Sequence, residues 1–248
     1  VSATIFAMSG HSKWKSIKHK KGKADSARGA VFTKMAKLIA VAARNGGGDP
    51  AMNARLRLAV DKAKESNMPN DNIARAIKKG TGELEGVTYS EHTYEGYAPG
   101  GVGLLVDVLT DNSNRTLPEI RNLLEKHGGS LASKGAVSFN FIEKGIVIFE
   151  PGVSEERVME VAIDAGADDI QAQEDGSIEV SSAPADFEAV KKALAAAGLK
   201  PASAEVTRVP GVTVDVSGDS AEKLQAIVDA IEEHDDVQAV VHSGNFLE

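Results

Sequence analysis

Between Asp25 and Arg44, apolar side chains recur three and four residues apart, at Ala27, Val31, Met35, Leu38 and Ala42, with Phe32 and Ile39 widening the stripe. That spacing puts them on one face of an α-helix, which Asn45-Gly46-Gly47-Gly48 ends. Asp49 followed by Pro50 predicts the cap and first position of a second helix, with Met52, Leu56, Ala59 and Ala63 facing inward. Met68-Pro69-Asn70 breaks it. A short third helix carries Ile73, Ala76 and Ile77 inward and Arg75, Lys78 and Lys79 outward, and is expected to stop at Gly80.

After Gly80 the rhythm changes to alternating or continuous apolar segments separated by helices with clear start signals. Val102 to Leu109 predicts a strand, and Gly96-Tyr97-Ala98-Pro99-Gly100-Gly101-Val102-Gly103 the hairpin turn that enters it. Thr116-x-x-Glu119 has the form of a capping box, opening a helix that buries Ile120, Leu123 and Leu124 and runs to Gly128-Gly129. Strands are expected at Ala136 to Phe141 and Gly145 to Glu150, then a helix capped by Ser154. A hairpin follows around Asp175-Gly176, then a helix from Asp186 to Ala197 and a strand from Ala204 to Val209. From 145 to 209 this is the order βαββαβ, the split arrangement of a ferredoxin-like sandwich. The tail, with strands Val212 to Val216 and Val237 to His242 around a helix opened by Asp219-x-x-Glu222, has too few elements for a domain of its own. Its natural partner is the set between 88 and 141.

The expected fold class is therefore α+β and multidomain: an N-terminal three-helix domain followed by two α/β (ferredoxin-like) domains, the middle one discontinuous. The boundaries are an extension at 1–8, a basic helical domain at 9–80, a discontinuous α/β domain at 81–143 plus 210–248, and an inserted βαββαβ domain at 144–209.

Charge sharpens this picture. The chain of 248 residues has a net charge of −8, yet residues 1–80 hold 17 Lys and Arg against 5 Asp and Glu, a net of +12. The remainder holds 11 against 31, a net of −20. A solubilising surface normally mixes both signs. Segregation on this scale points instead to a polyanion-binding domain on an acidic body, because cations gain affinity for nucleic acid by releasing condensed counterions. With 42% apolar and 26% charged residues the chain is neither disordered nor collagenous, and no apolar run approaches the roughly 18–20 residues that cross a bilayer. Val1 to Ala7 has no basic n-region and reads as an extension before Met8. Zero cysteines exclude disulfides, thiol nucleophiles and Cys-based metal sites, and fit a cytoplasmic location.

The strongest local signal for binding is the arm ahead of the first helix. Lys13, Lys15, Lys18, Lys20, Lys21 and Lys23 surround Trp14, the chain's single tryptophan, with His11 and His19 adjacent. Cations around one aromatic suit phosphate neutralisation with base stacking; the alternative for Trp14 is packing into the helical core. Arg28, Lys34 and Lys37 continue the basic face, which Arg44, Arg55, Arg57, Lys62 and Lys64 would extend. A second anion site is expected at Asn112, Asn114, Arg115 and Thr116, where a turn meets a helix N-terminus, although turn formation and capping also account for these residues. Catalysis has little to recommend it. The histidines at 11, 19, 92, 127, 234 and 242 include no H-x-x-x-H pair, and no P-loop, dinucleotide fingerprint or nucleophile elbow is present. Glu232, Glu233, Asp235 and Asp236 read as a solvated acidic surface at a helix end. No catalytic residue, metal or cofactor is expected.

The residues also carry a resemblance. Gly10-His11-Ser12-Lys13-Trp14, Ile17-Lys18-His19-Lys20-Lys21, Asp25, Arg28-Gly29 and Phe32-Thr33-Lys34 closely resemble the opening of the YebC/PmpR family. That family includes the mitochondrial translational activator of cytochrome oxidase subunit I. Asn67-Met68-Pro69-Asn70-Asp71-Asn72-Ile73, Ala76-Ile77-Lys78-Lys79-Gly80, Tyr94-Glu95-Gly96-Tyr97-Ala98-Pro99-Gly100-Gly101 and Thr110-Asp111-Asn112-Ser113-Asn114-Arg115-Thr116 follow in family order, so the likeness runs from Gly10 to His242. Departures are the Val1 to Ala7 extension and Val241-His242-Ser243, where a Tyr-His-Asn-like ending is expected. The resemblance implies a three-domain cytoplasmic protein of a family described as DNA-binding transcriptional regulators. Its mitochondrial and some bacterial members resemble ribosome-associated translation factors that act on difficult, proline-rich peptides. The implied partner is nucleic acid, DNA or ribosomal RNA, and with the latter the ribosome; neither a membrane nor a small-molecule substrate is implied.

Overall fold

The computed structural model describes residues 28–247, the side chain of Arg28 excepted. Among the described residues the first domain has three helices: α1 (Arg28–Gly46), α2 (Ala54–Glu65) and α3 (Asn70–Thr81). Their core joins Met35, Ile39, Ala42 and Ala43 of α1 to Leu56, Ala59, Val60 and Ala63 of α2 and Ile73 and Ala76 of α3. Each large aliphatic side chain removed from water there contributes about 1.5–3 kcal/mol.

Two boundaries differ from expectation. Asp49 and Pro50 do not open α2. The cap is Asn53, whose side chain accepts the Leu56 N–H at 3.0 Å and donates to the carbonyls of Ala42 and Gly47, both at 2.8 Å. One buried amide thus finishes α1 and starts α2, leaving Met52 outside the helix and 85% exposed. Nor does Gly80 stop α3, which ends at Gly82 in the left-handed conformation (φ +82°). Gly80 sits within the helix where α3 crosses α1, and a Cβ there would lie 2.3 Å from the Ala40 carbonyl oxygen.

The middle domain begins with the hairpin β1 (Ser90–Ala98) and β2 (Val102–Thr110), in register from Ser90 opposite Thr110 to Ala98 opposite Val102. Gly100 and Gly101, both at positive φ, make its turn. The next helix, α4 (Ser113–Lys126), is capped by Asn112 rather than by a box at Thr116. Thr116 is already inside the first turn and fully buried. β3 (Ser130–Ala132) adds to β1. Instead of a strand at Ala136 to Phe141, the chain makes a 3-10 turn at Ser138–Asn140 and enters one long strand, β4 (Phe141–Phe149). The reason is local: the Glu95 carboxylate takes the N–H groups of Gly135, Val137 and Ser138, so these cannot join a ladder.

β4 leads into the inserted domain, followed by α5 (Glu155–Asp164), β5 (Asp169–Ala172), β6 (Ile178–Ser182), α6 (Phe187–Ala196) and β7 (Ser203–Pro210). The sheet order β5-β6-β4-β7, antiparallel throughout, is that of the split βαββαβ sandwich. Val158, Ala162, Phe187, Val190 and Leu194 of the two helices pack on Val147, Phe149, Ile178 and Val180.

The chain then returns to the middle domain as β8 (Val214–Val216), α7 (Gly218–Glu232), β9 (Val237–His242) and β10 (Gly244–Phe246). β9 pairs with β2, completing the sheet β3-β1-β2-β9, while β10 runs parallel to β8. One core joins Val102, Leu104, Val106, Ile120 and Leu124 to Leu224, Ile227, Ile231 and Val237, so the middle domain is built from two separate stretches of chain.

Candidate nucleic-acid interface

Helix α1 carries two stripes. The apolar one faces the helical core. The second, made of Lys34, Lys37 and Arg44 at intervals of three and seven, docks on the middle domain. Lys34 donates to the Glu232 carbonyl at 2.5 Å, Lys37 to the Asp235 carbonyl at 3.0 Å, and Arg44 to the Tyr89 carbonyl at 2.7 Å. Two of these acceptors lie at the C-terminal end of α7, where cations are favoured by the helix dipole.

The Lys37 ammonium also meets Asp236 Oδ1 at 2.6 Å and lies 5.6 Å from the centre of the Tyr89 ring. Asp236 is only 3% exposed. Its other oxygen accepts from Thr116 at 2.7 Å, Arg115 at 2.8 Å and Thr110 at 3.0 Å. Burial opposes ionisation of Asp236, but the hydrogen bonds from Lys37, Thr116, Arg115 and Thr110 outweigh it and hold the carboxyl well below the ordinary range. The acidic stretch expected to be solvated therefore contains a buried junction. Around it lies an open groove of about 720 Å³ between α1, α4 and the turn before β9, with Thr33, Asp111, Glu119, His234 and Asp235 on its walls.

The expected second anion site is thus already engaged by a carboxylate of the chain itself. Asn112 caps α4 by accepting the Arg115 N–H at 3.2 Å, Asn114 is exposed, and Arg115 and Thr116 both donate to Asp236. Of the residues expected to bind nucleic acid, His11, Lys13, Trp14, Lys15, Lys18, His19, Lys20, Lys21 and Lys23 lie outside the described residues. Arg28 opens α1, and Lys34 and Lys37 point into the interface with the middle domain rather than out to solvent. Arg55 likewise pairs with Glu91 at 2.6 Å and Lys62 with Glu205 at 3.3 Å, while Arg57 donates to the Pro50 carbonyl at 3.0 Å. The two acidic domains are joined in the same way: Arg208 of β7 places its Nη2 against both oxygens of Asp107 in β2, beside a bulge in the β2–β9 ladder. These interdomain pairs carried one sequence signal, a basic and an acidic domain in one chain. Which cation meets which acid depends on packing far along the chain. Among the described residues no cluster of three or more His, Asp and Glu is placed to hold a metal ion, and no helix is long and apolar enough to cross a membrane.

Family models match almost end to end: residues 12–83 fit the TACO1/YebC protein N-terminal domain and residues 89–244 the TACO1/YebC second and third domain. The chain belongs to the TACO1/YebC family. It is 56% identical over 235 residues to a probable transcriptional regulatory protein of Thiobacillus denitrificans, covering 94% of this chain and 97% of that one. A protein of the same description from Paracidovorax citrulli is 53% identical, with 95% and 99% covered. The crystal structure of the conserved hypothetical protein Aq1575 from Aquifex aeolicus superposes with a TM-score of 0.84 at 45% identity, covering 94% of this chain and 96% of that one. Family and fold agree on a helical domain followed by two α/β domains.

Proposed function

We propose that this protein is a non-enzymatic regulator of gene expression that binds nucleic acid through its basic helical domain and the arm that precedes it. The observation that carries this reading is the charge split, +12 in residues 1–80 against −20 in the rest. An acidic body repels a polyanion, so contact is confined to one end of the molecule. The inward cations of α1 and α2 are engaged by the acidic domains, and the six lysines at 13–23 form the densest basic run in the sequence, so they are the first candidates for phosphate contact. The description of its relatives as probable transcriptional regulatory proteins supports regulation as the purpose of that binding.

Sedimentation of native lysate at near-physiological salt, with deoxyribonuclease or ribonuclease added, tests this. Migration with large particles that either nuclease abolishes is expected, and the triple change Lys18→Glu, Lys20→Glu and Lys21→Glu should release the protein into the light fractions. Sensitivity to deoxyribonuclease assigns it to DNA; sensitivity to ribonuclease assigns it to RNA, with co-migrating ribosomal particles making it a translation factor. Recovery in the light fractions under every condition overturns nucleic-acid binding.

A further inference from the structure

We infer that the outward face of α3, formed by Arg75, Lys78 and Lys79, is a second phosphate-contacting surface for nucleic acid, separate from the arm; this rests on the nucleic-acid reading above. The described cations of the helical domain sort by what they touch. Lys34, Lys37, Arg44, Arg55 and Lys62 reach carbonyls or carboxylates of the two acidic domains. Arg75, Lys78 and Lys79 are exposed, and among the described residues no hydrogen bond or ion pair engages any of their side chains.

Helix geometry brings these three together. α3 buries Ile73 and Ala76 and leaves 75, 78 and 79 on its opposite side, at relative positions i, i+3 and i+4. Side chains so spaced are neighbours on a helix surface, and like charges there destabilise it. The C-terminal dipole of α3 offsets part of this for Lys78 and Lys79. Among the described residues nearby acids do not neutralise the group: Glu83 accepts the Thr81 hydroxyl at 3.0 Å, and neither Asp71 nor Glu85 pairs with a cation. α3 packs closely across α1 at Gly80, so the three charges are presented on a helix docked to the domain core. Three adjacent cations without internal partners suit successive phosphates of one strand. They are placed for backbone contact rather than base reading, so the expected ligand is nucleic acid of any sequence.

The test is binding of the full chain to a fluorescein-labelled duplex DNA and, separately, an unstructured RNA strand, by anisotropy over a range of salt. Arg75→Gln/Lys78→Gln/Lys79→Gln is compared with the arm change Lys18→Gln/Lys20→Gln/Lys21→Gln. A control of equal charge, Lys191→Gln/Lys192→Gln/Lys200→Gln, lies in the inserted domain. Loss of three contacts lowers the slope of log affinity against log salt by about 2.7 for duplex DNA, or about 2.1 for a single strand. The α3 variant should show that drop on whichever polymer the protein binds, the control should keep the wild-type slope, and Arg75→Lys/Lys78→Arg/Lys79→Arg should retain it, separating charge from folding. A wild-type slope in the α3 variant beside a reduced slope in the arm variant overturns the α3 surface and leaves nucleic-acid binding standing. An equal drop in the inserted-domain control reduces the effect to net charge and also overturns it. Failure of the wild type to bind either polymer at low salt overturns both.

Discussion

Among the described residues two carboxylates are buried in the middle domain, and they are satisfied in opposite ways. Glu95 is 5% exposed and accepts three backbone N–H groups, at 2.6, 2.7 and 2.9 Å, from one loop between 135 and 138. Asp236 is 3% exposed and accepts from four side chains, three within its own domain and one, Lys37, from the helical domain. The first fixes the path by which the chain leaves for the inserted domain. The second joins two domains of opposite net charge. A carboxylate bound by backbone amides tolerates many sequences in its loop, whereas one bound by side chains depends on each of them.

The largest effect should therefore come from Asp236→Ala. It strips Lys37 of its buried partner and removes the carboxylate oxygen that accepts from Thr110, Arg115 and Thr116, and removing one member of a buried ion pair costs about 3–5 kcal/mol. Urea denaturation of the full chain should show that loss, together with earlier proteolytic cleavage between the helical and middle domains. Lys37→Met/Asp236→Leu should recover part of it, since an apolar pair of similar volume removes the uncompensated charge. A loss below about 1 kcal/mol for Asp236→Ala would mean that the junction carries little of the stability.

The difference between the two sites also bears on what could be read from the chain. Local periodicity sufficed for all three helices of the first domain and for the βαββαβ order of the inserted one, because each depends on neighbours within a few residues. The discontinuous middle domain followed from arithmetic on elements, since the tail had too few to stand alone. Asp236 did not follow. Its acidic neighbours Glu232, Glu233 and Asp235 made solvation the natural reading, and the lysine that buries it lies 199 positions away. Lys37 reads as one cation in a basic stretch for the mirror-image reason, although its spacing from Lys34 and Arg44 marks a second helix face. Thr116 and Gly80 show the same limit. A capping pattern and a stop glycine are local signals; the first gives way to a competing cap at Asn112, and the second to a distant partner, the Ala40 carbonyl.

Glu95→Gln should have the next largest effect. Its amide accepts at one atom where the carboxylate accepted at two, and charge-assisted bonds of this kind contribute about 1.5–3 kcal/mol each, so a net loss of about 1–3 kcal/mol is expected. The pH dependence separates the two sites further. Burial disfavours the charge on Glu95, but the backbone bonds from Gly135, Val137 and Ser138 lower its pKa overall, and Asp236 is displaced further in the same direction. A carboxyl lowered by folding contributes stability that is complete above the unfolded value of about 4 and is lost as pH falls through the folded value, because the unfolded chain then binds more protons. Melting curves from neutral pH into acid should thus show wild-type stability falling below about pH 4, a shallower fall in Glu95→Gln and the shallowest in Asp236→Asn. Identical acid profiles for all three would remove the electrostatic account of both sites.

The smallest effect belongs to the ion pair between Arg55 and Glu91, which spans the same two domains as Lys37 and Asp236 but in the open. The two side chains are 51% and 43% exposed and 2.6 Å apart. Water and salt screen such a pair, and holding two long side chains in one geometry costs entropy, so it contributes about 0.2–1 kcal/mol. A double-mutant cycle with Arg55→Gln and Glu91→Gln should give a coupling in that range at low salt that shrinks towards zero at about 1 M, where the screening length is about 3 Å. The corresponding cycle with Lys37→Met and Asp236→Asn should give a larger coupling that salt changes less, because these two side chains are only 10% and 4% exposed. If instead both couplings fell together with salt, the Asp236 junction would have to open to solvent more readily than its four hydrogen bonds permit, and the contrast between a buried and an exposed domain contact would fail at its foundation.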